Sequence, residues 1–290
     1  MAYNPNAIFV SPSSLSDLEK CPQLYFLRSI FRNNRGNKIQ LVSPALALGQ
    51  AVHDTIDQFL ALEPGERNEA ELKRITNLLW GNNAAGEKGG FTDKTQEAEF
   101  RDRAEAMLAH FWKNDHFKNA VKAKLPNFPK VDLDRDVILT GKLDWVEAGD
   151  DGYYTIIDFK TGKNKEREDS LQLPIYALLV GNIFKTHKLK AKYWYLDSTE
   201  EMEEVALPTL AAALEIVKKK AETAKLVVQT KSFQCRTGKE SCWACRDMQA
   251  ISRGEGKLVR VDMSRKQEIY ILPKADKTPE AEKWADDIPF

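Results

Sequence analysis

The sequence predicts an α/β domain with a mixed central β-sheet flanked by helices, its N- and C-terminal ends joined by a four-cysteine metal site. Three observations carry this. Apolar residues recur at helical spacing up to about residue 117, alternate between Val137 and Phe159, then return to helical spacing over 168–183. Composition is ordinary for a soluble globular chain, with 42% hydrophobic and 30% charged residues in 290. The cysteines stand only near the two ends: Cys21 at one, Cys235, Cys242 and Cys245 at the other.

Taken in order, Ser14-Leu15-Ser16-Asp17 ahead of Leu18, Tyr25, Phe26 and Leu27 predicts a capped helix carrying Cys21. The basic run Arg28, Arg32, Arg35 and Lys38 follows, and fits phosphate contacts and a solvated face equally. Ala45 to Leu62 is a second helix with Leu48, Val52, Ile56, Phe59 and Leu60 on its apolar face, stopped by Pro64-Gly65. Residues 69–80 and 95–117 are two more helices, within an expected helical insert of about 64–120. Trp80, Phe91 and Trp112 read as core, with base stacking as the alternative.

Val137–Val146 and Tyr153–Phe159 alternate as strands about the turn Gly149-Asp150-Asp151-Gly152. The helix over 168–183 buries Leu171, Ile175, Leu178 and Leu179. Lys192–Asp197 and Glu203–Leu207 are further strands, and Pro208 opens a helix to about Lys225 whose Lys218-Lys219-Lys220 is a solvated face. Leu258–Val261 and Glu268–Leu272 are short strands, and a charged tail begins near Lys274. The expected domain is 1–262, with 263–290 a partly flexible extension.

Net charge is zero, so any nucleic-acid surface must be a local patch. No apolar run is long enough to span a membrane. The N-terminus lacks the basic and apolar regions of a secretory signal, so a cytoplasmic location is expected. In that reducing compartment these cysteine spacings favour metal ligation over disulfides.

Asp144 lies in Gly141-Lys142-Leu143-Asp144, read as part of the first hairpin strand, and Asp158 and Lys160 end the second. Strand alternation puts Asp158 and Lys160 on one face and Phe159 on the other. Antiparallel pairing through the turn brings Asp144 towards Asp158. Two carboxylates and an ammonium at one point suit metal-dependent phosphodiester hydrolysis, and a bland strand-end ion pair equally. His53, from the second helix, adds an imidazole that tilts metal choice towards Mn²⁺. Gln172 and Tyr176, four apart on a helix, share one face.

Gly49-Gln50-Ala51-Val52-His53, Gly141-Lys142-Leu143-Asp144, Asp158-Phe159-Lys160 and Gln172-Leu173-Pro174-Ile175-Tyr176 resemble, in order, the motifs of PD-(D/E)XK nucleases. The nearest branch is the RecB-like one, which includes nuclease domains of recombination complexes and CRISPR-adaptation nucleases. The resemblance spans roughly residues 10–250 and implies a restriction-endonuclease-like core. It implies that His53, Asp144, Asp158 and the Phe159 carbonyl ligate Mg²⁺ or Mn²⁺, and that Lys160 orients the attacking water and offsets developing charge. Gln172 and Tyr176 would position the lysine and touch the DNA backbone.

Cys242-Trp243-Ala244-Cys245 is a C-x-x-C knuckle with metal-ligand spacing. With Cys21-Pro22, it resembles the iron–sulfur nucleases of the same branch, whose two ends (here about 11–35 and 230–251) are stapled by a 4Fe–4S cluster. Those proteins place the C-x-x-C pair before the last cysteine, whereas here Cys235 precedes the pair. Four thiolates equally suit Zn²⁺. The resemblance implies a DNase acting on single-stranded DNA or duplex ends as an exonuclease, in repair, recombination or CRISPR adaptation, with a helicase or CRISPR-adaptation protein as partner. The alternatives are a non-catalytic DNA-end-binding subunit, or a zinc-stapled nuclease acting on RNA or phage DNA intermediates.

Overall fold

The computed structural model describes residues 7–272; the tail expected from Lys274 lies outside them. The chain opens with β1 (Ile8–Val10) and α1 (Pro12–Lys20). Ser11 and Ser14 cap α1 reciprocally, three residues before the expected cap, with Pro12 pre-set for the first turn. Cys21 is not inside that helix. It is extended (φ −165°, ψ 127°) at the break before α2 (Pro22–Tyr25), because Pro22 disfavours helical backbone in the residue before it. A π-turn, β2 (Lys38–Leu41) and α3 (Pro44–Leu60) follow, α3 capped by Ser43.

The helical region continues through α4 (Glu69–Leu79), α5 (Lys94–Lys113) and the short α6 (His116–Asn119). Arg67 staples it, donating to the carbonyls of Leu60, Leu62, Phe117 and Ala120. After β3 (Lys130–Asp134), β4 (Val137–Thr140), β5 (Trp145–Ala148) and β6 (Tyr154–Lys160) come α7 (Gln172–Phe184), β7 (Leu189–Tyr195), β8 (Glu203–Val205) and α8 (Leu210–Gln229). The described chain closes with α9 (Arg246–Ser252), β9 (Lys257–Asp262) and β10 (Gln267–Ile271).

The expected sheet is realised as mixed sheets flanked by helices. The order β5-β6-β7-β8 has an antiparallel hairpin, then β6 parallel to β7 through the α7 crossover, then antiparallel β8. β1 pairs parallel with β4, which also pairs with β3. The expected strand Val137–Val146 is therefore two strands, split at 141–144. Tyr176 packs on the split: its hydroxyl donates to the Lys142 carbonyl at 2.7 Å, and its ring lies so close that a Cβ on Gly141 would sit 3.0 Å from it.

Helix α7 is apolar nearly all round because it is covered on both sides, by sheet and by α8. A second core joins α3, α4 and α5 to Trp145, Phe159 and Trp194, and takes in Trp80 and Phe91. These two aromatics are only 1% and 7% exposed, which excludes base stacking at either. A third core surrounds the cysteines with Leu24, Leu27, Ile39, Met248 and Ile251.

β10 lies between β2 (parallel) and β9 (antiparallel) in a three-stranded sheet, so the strand expected over Glu268–Leu272 is present, at residues 267–271. Glu268 is buried there, taking hydrogen bonds from Tyr270, Asn37 and Arg35 at 2.5, 2.8 and 2.6 Å. Burial disfavours its charge, but the donors Tyr270, Asn37, Asn33 and Arg35 outweigh it and hold the carboxyl at about 2. This depressed value contributes stability above the ordinary glutamate value of 4.5, lost as pH falls towards 2. Glu268→Gln should lower unfolding stability at pH 7 by roughly 1.5–3 kcal/mol. Denaturant titrations should show the gap closing between pH 4.5 and 2; a pH-independent gap would exclude the charge as its source.

Candidate active site and four-cysteine centre

The site forms where β6 ends. Asp158 is buried beneath it, Lys160 shares its face, and the Phe159 ring turns the other way to pack with Phe111, Phe117 and Trp194. Asp144 precedes β5 by one residue, continuing the register that pairs Trp145 with Ile157. It lies outside the strand where the sequence placed it. The ladder's next bond is replaced by a side-chain one, the Phe159 N–H donating to Asp144 Oδ2 at 2.9 Å.

Two helices complete the cluster. α3 brings His53, whose Nδ1 lies 3.2 Å from Asp144 Oδ1. α7 brings Gln172, whose Nε2 donates to Asp158 Oδ1 at 2.8 Å and whose Oε1 accepts from Lys160 Nζ. Tyr176, one turn on, meets Gln172 Nε2 at 3.3 Å. Lys160 Nζ also lies 3.1 Å from Asp158 Oδ2 and 2.6 Å from Glu166 Oε2, above the Tyr193 ring. All six side chains expected here, from His53 to Tyr176, thus converge.

Burial pushes Asp158 up to about 6, with Lys160 opposing and Asp144 adding to the rise. Burial also acts on Asp144, but His53 and the Phe159 N–H overcome it and hold that carboxyl below its usual range. His53 is raised, its burial outweighed by Asp144. Burial would lower Lys160, yet Asp158 and Glu166 more than compensate and raise it. Lys160 is therefore an ammonium, a donor rather than a proton acceptor.

At the other pole, one ligand sulfur from each of the four cysteines lies within 4.8 Å of the rest. Cys245 Sγ is 3.7 Å from Cys242 Sγ and 3.9 Å from Cys235 Sγ, too far for a disulfide. The reversed chain order is no obstacle to closure. Hydrogen bonding from Thr237 is the main cause that lowers Cys235 to about 6, whereas burial raises Cys21 and Cys245. A thiol so lowered is ready to ligate as thiolate.

The family model of the PD-(D/E)XK nuclease superfamily matches residues 10–248, spanning the whole cluster and all four cysteines. The chain belongs to the PD-(D/E)XK nuclease superfamily. Two solved structures are similar to it. One, described as a "putative exonuclease" from Eubacterium rectale, is 15% identical with a TM-score of 0.48, covering 82% of this chain and 87% of that one. The other, named SSO0001, is 13% identical with a TM-score of 0.28, covering 72% and 84%. No curated protein matches the chain.

PD-(D/E)XK nucleases use divalent metal ions, and the donor set here fits one. Asp144 and Asp158 offer hard oxygens, His53 an imidazole, and burial keeps the Asp158 charge costly even with Lys160 3.1 Å away, a cost that a divalent cation would offset. The candidate site opens into a cleft of about 1060 Å³ that reaches α1, β9 and the cysteine knuckle. Among the described residues no helix is long and apolar enough to cross a membrane.

The basic run is largely committed elsewhere. Arg28 pairs with Asp17 and Arg35 with Glu268, while Arg32 bonds the carbonyls of Ser29, Ile30 and Phe31. Of the run only Arg28 lines the cleft. Sequence reasoning missed Glu166, which sits in the charged stretch 163–169 where no spacing separates it from its neighbours.

Proposed function

We propose that this protein is a metal-dependent deoxyribonuclease acting on single-stranded DNA or DNA ends, as an exonuclease in repair, recombination or CRISPR adaptation. The observation that carries the reading is the clamp on Lys160, held by Asp158, Glu166 and Gln172 beside Asp144. His53, Asp144, Asp158 and the Phe159 carbonyl would hold Mg²⁺ or Mn²⁺. Such an ion supplies Lewis acidity at the phosphoryl oxygen and lowers the pKa of water. Lys160, an ammonium whose three N–H groups are taken by Asp158, Glu166 and Gln172, would offset the negative charge that builds on the phosphate. Gln172 keeps lysine and Asp158 in register, and Tyr176 braces the segment before Asp144 through its bond to the Lys142 carbonyl.

A polyanionic substrate is supported by the cleft's charge. Apart from Asp144, Asp158, Lys160 and Glu166 it is lined by seven lysines and arginines against two acids, in a chain of zero net charge. End-labelled single- and double-stranded DNA should be cut only with Mg²⁺ or Mn²⁺, and Asp144→Asn should slow cutting by about 10²-fold or more. Binding without cutting under any metal would instead establish a non-catalytic end-binding subunit.

The four cysteines would hold the metal centre that staples the chain ends. Resemblance supports a 4Fe–4S cluster. The sulfur spacing favours a second reading, since a tetrahedral Zn²⁺ site with ~2.3 Å bonds has sulfur–sulfur edges of about 3.8 Å, close to the 3.7 and 3.9 Å found here. Anaerobically purified protein that is brown with about four irons per chain establishes the cluster. A colourless protein with one zinc establishes the ion.

A further inference from the structure

Six tryptophans occur in the chain, and those at 80, 145 and 194 are at most 1% exposed. Trp243 is 58% exposed. It lies inside the cysteine knuckle, where the N–H groups of Cys245 and Arg246 both donate to the Cys242 carbonyl, at 3.2 and 3.0 Å. Trp243 lines the same cleft as Asp144, Asp158 and Lys160.

Arg260, on β9, lines that cleft too. Arg28, Lys165 and Arg167 each have a carboxylate within 3 Å, whereas Arg260 has none within ion-pair distance among the described residues. Its Nη1 donates to the neutral Asn83 at 2.6 Å, and its buried Nε has no hydrogen-bond partner. Asp262 shares its strand face, but that carboxylate is engaged by Ser264 and the Arg265 N–H at the hairpin turn. A cation with no carboxylate partner among the described residues, and an exposed indole lining the same cleft, suit a strand whose bases are free and whose phosphates are charged.

We propose that Trp243 and Arg260 form a single-strand platform, Trp243 stacking on an unpaired base and Arg260 holding a phosphate of the same strand on its way to Lys160. The inference rests on the nuclease reading above and specifies its substrate as an unpaired strand. Bases inside a duplex already have both faces covered, so the indole selects against them.

The test measures binding in the Lys160→Ala background, so that the DNA stays intact. The ligands are a fluorescein-labelled thymidine oligonucleotide, the same strand made abasic, and a blunt hairpin duplex. Trp243→Leu should weaken the thymidine strand about 5- to 150-fold and leave the abasic strand and duplex unchanged. Trp243→Phe, which still stacks, should retain most of the affinity. Arg260→Gln should weaken all three and reduce the salt slope on the single strand by about 0.7. Equal losses for Leu and Phe, or equal losses on thymidine and abasic strands, would overturn the stacking role. An unchanged salt slope would overturn that of Arg260. Wild-type protein that cuts DNA while Trp243→Leu binds like its parent defeats this inference alone. Wild-type protein that neither binds nor cuts DNA with Mn²⁺ defeats the nuclease reading beneath it.

Discussion

Lys160→Ala should lower DNA cleavage by about 10²- to 10³-fold or more while leaving DNA binding nearly intact. The effect should fall on the chemical step because Lys160 is 12% exposed, raised by its two carboxylates and aimed at Asp158, whereas binding draws on the cleft's other cations. Single-turnover rates at saturating protein separate the two. Removing the ammonium strands Glu166 and Asp158 without their counter-charge, so the variant should also lose stability. Lys160→Ala/Glu166→Gln removes one stranded carboxylate and should regain stability without regaining cleavage. Wild-type cleavage by a folded Lys160→Ala protein would remove the lysine from the mechanism.

Replacing Cys21 by serine should loosen the whole fold. Cys21 and Cys235 close a loop over most of the chain, and the four sulfurs meet in a core of Leu24, Leu27, Met248 and Ile251. By a chain-entropy estimate, closing a loop of some 200 residues contributes about 5 kcal/mol. For a chain of this size a loss of that order lowers the melting temperature by roughly 10–20 °C. Scanning calorimetry with parallel metal analysis checks it. Full metal loss with an unchanged melting temperature would show that the clasp does not restrain the fold. The expectation holds for an iron–sulfur cluster and for zinc, since both act by joining the same two ends.

Much of the candidate site was legible because its geometry follows from local periodicities. Asp158 and Lys160 share a face because strands alternate, Asp144 meets the Phe159 N–H because a hairpin register carries it there, and Gln172 and Tyr176 face together because they are four apart. The break at 141–144 was not legible, because the group that packs against it, Tyr176, lies more than thirty residues away. Cys21 shows a different failure. Pro22 was visible, and its restriction on the preceding residue foretold an extended Cys21 rather than a helical one.

The sequence by itself determined the donors and their local spacing: the carboxylate–lysine face on β6, the pair on α7, and the cysteines at either end. Only the tertiary structure decided which charges are already neutralised and which remain. It tied Arg28 and Arg35 to Asp17 and Glu268, turned Glu166 onto Lys160, and set Trp243 and Arg260 on the wall of the same cleft. The reason is physical. A side chain's type and period follow from its neighbours in the chain, but its partner follows from how distant segments pack, and β10 pairs with β2 across more than two hundred residues.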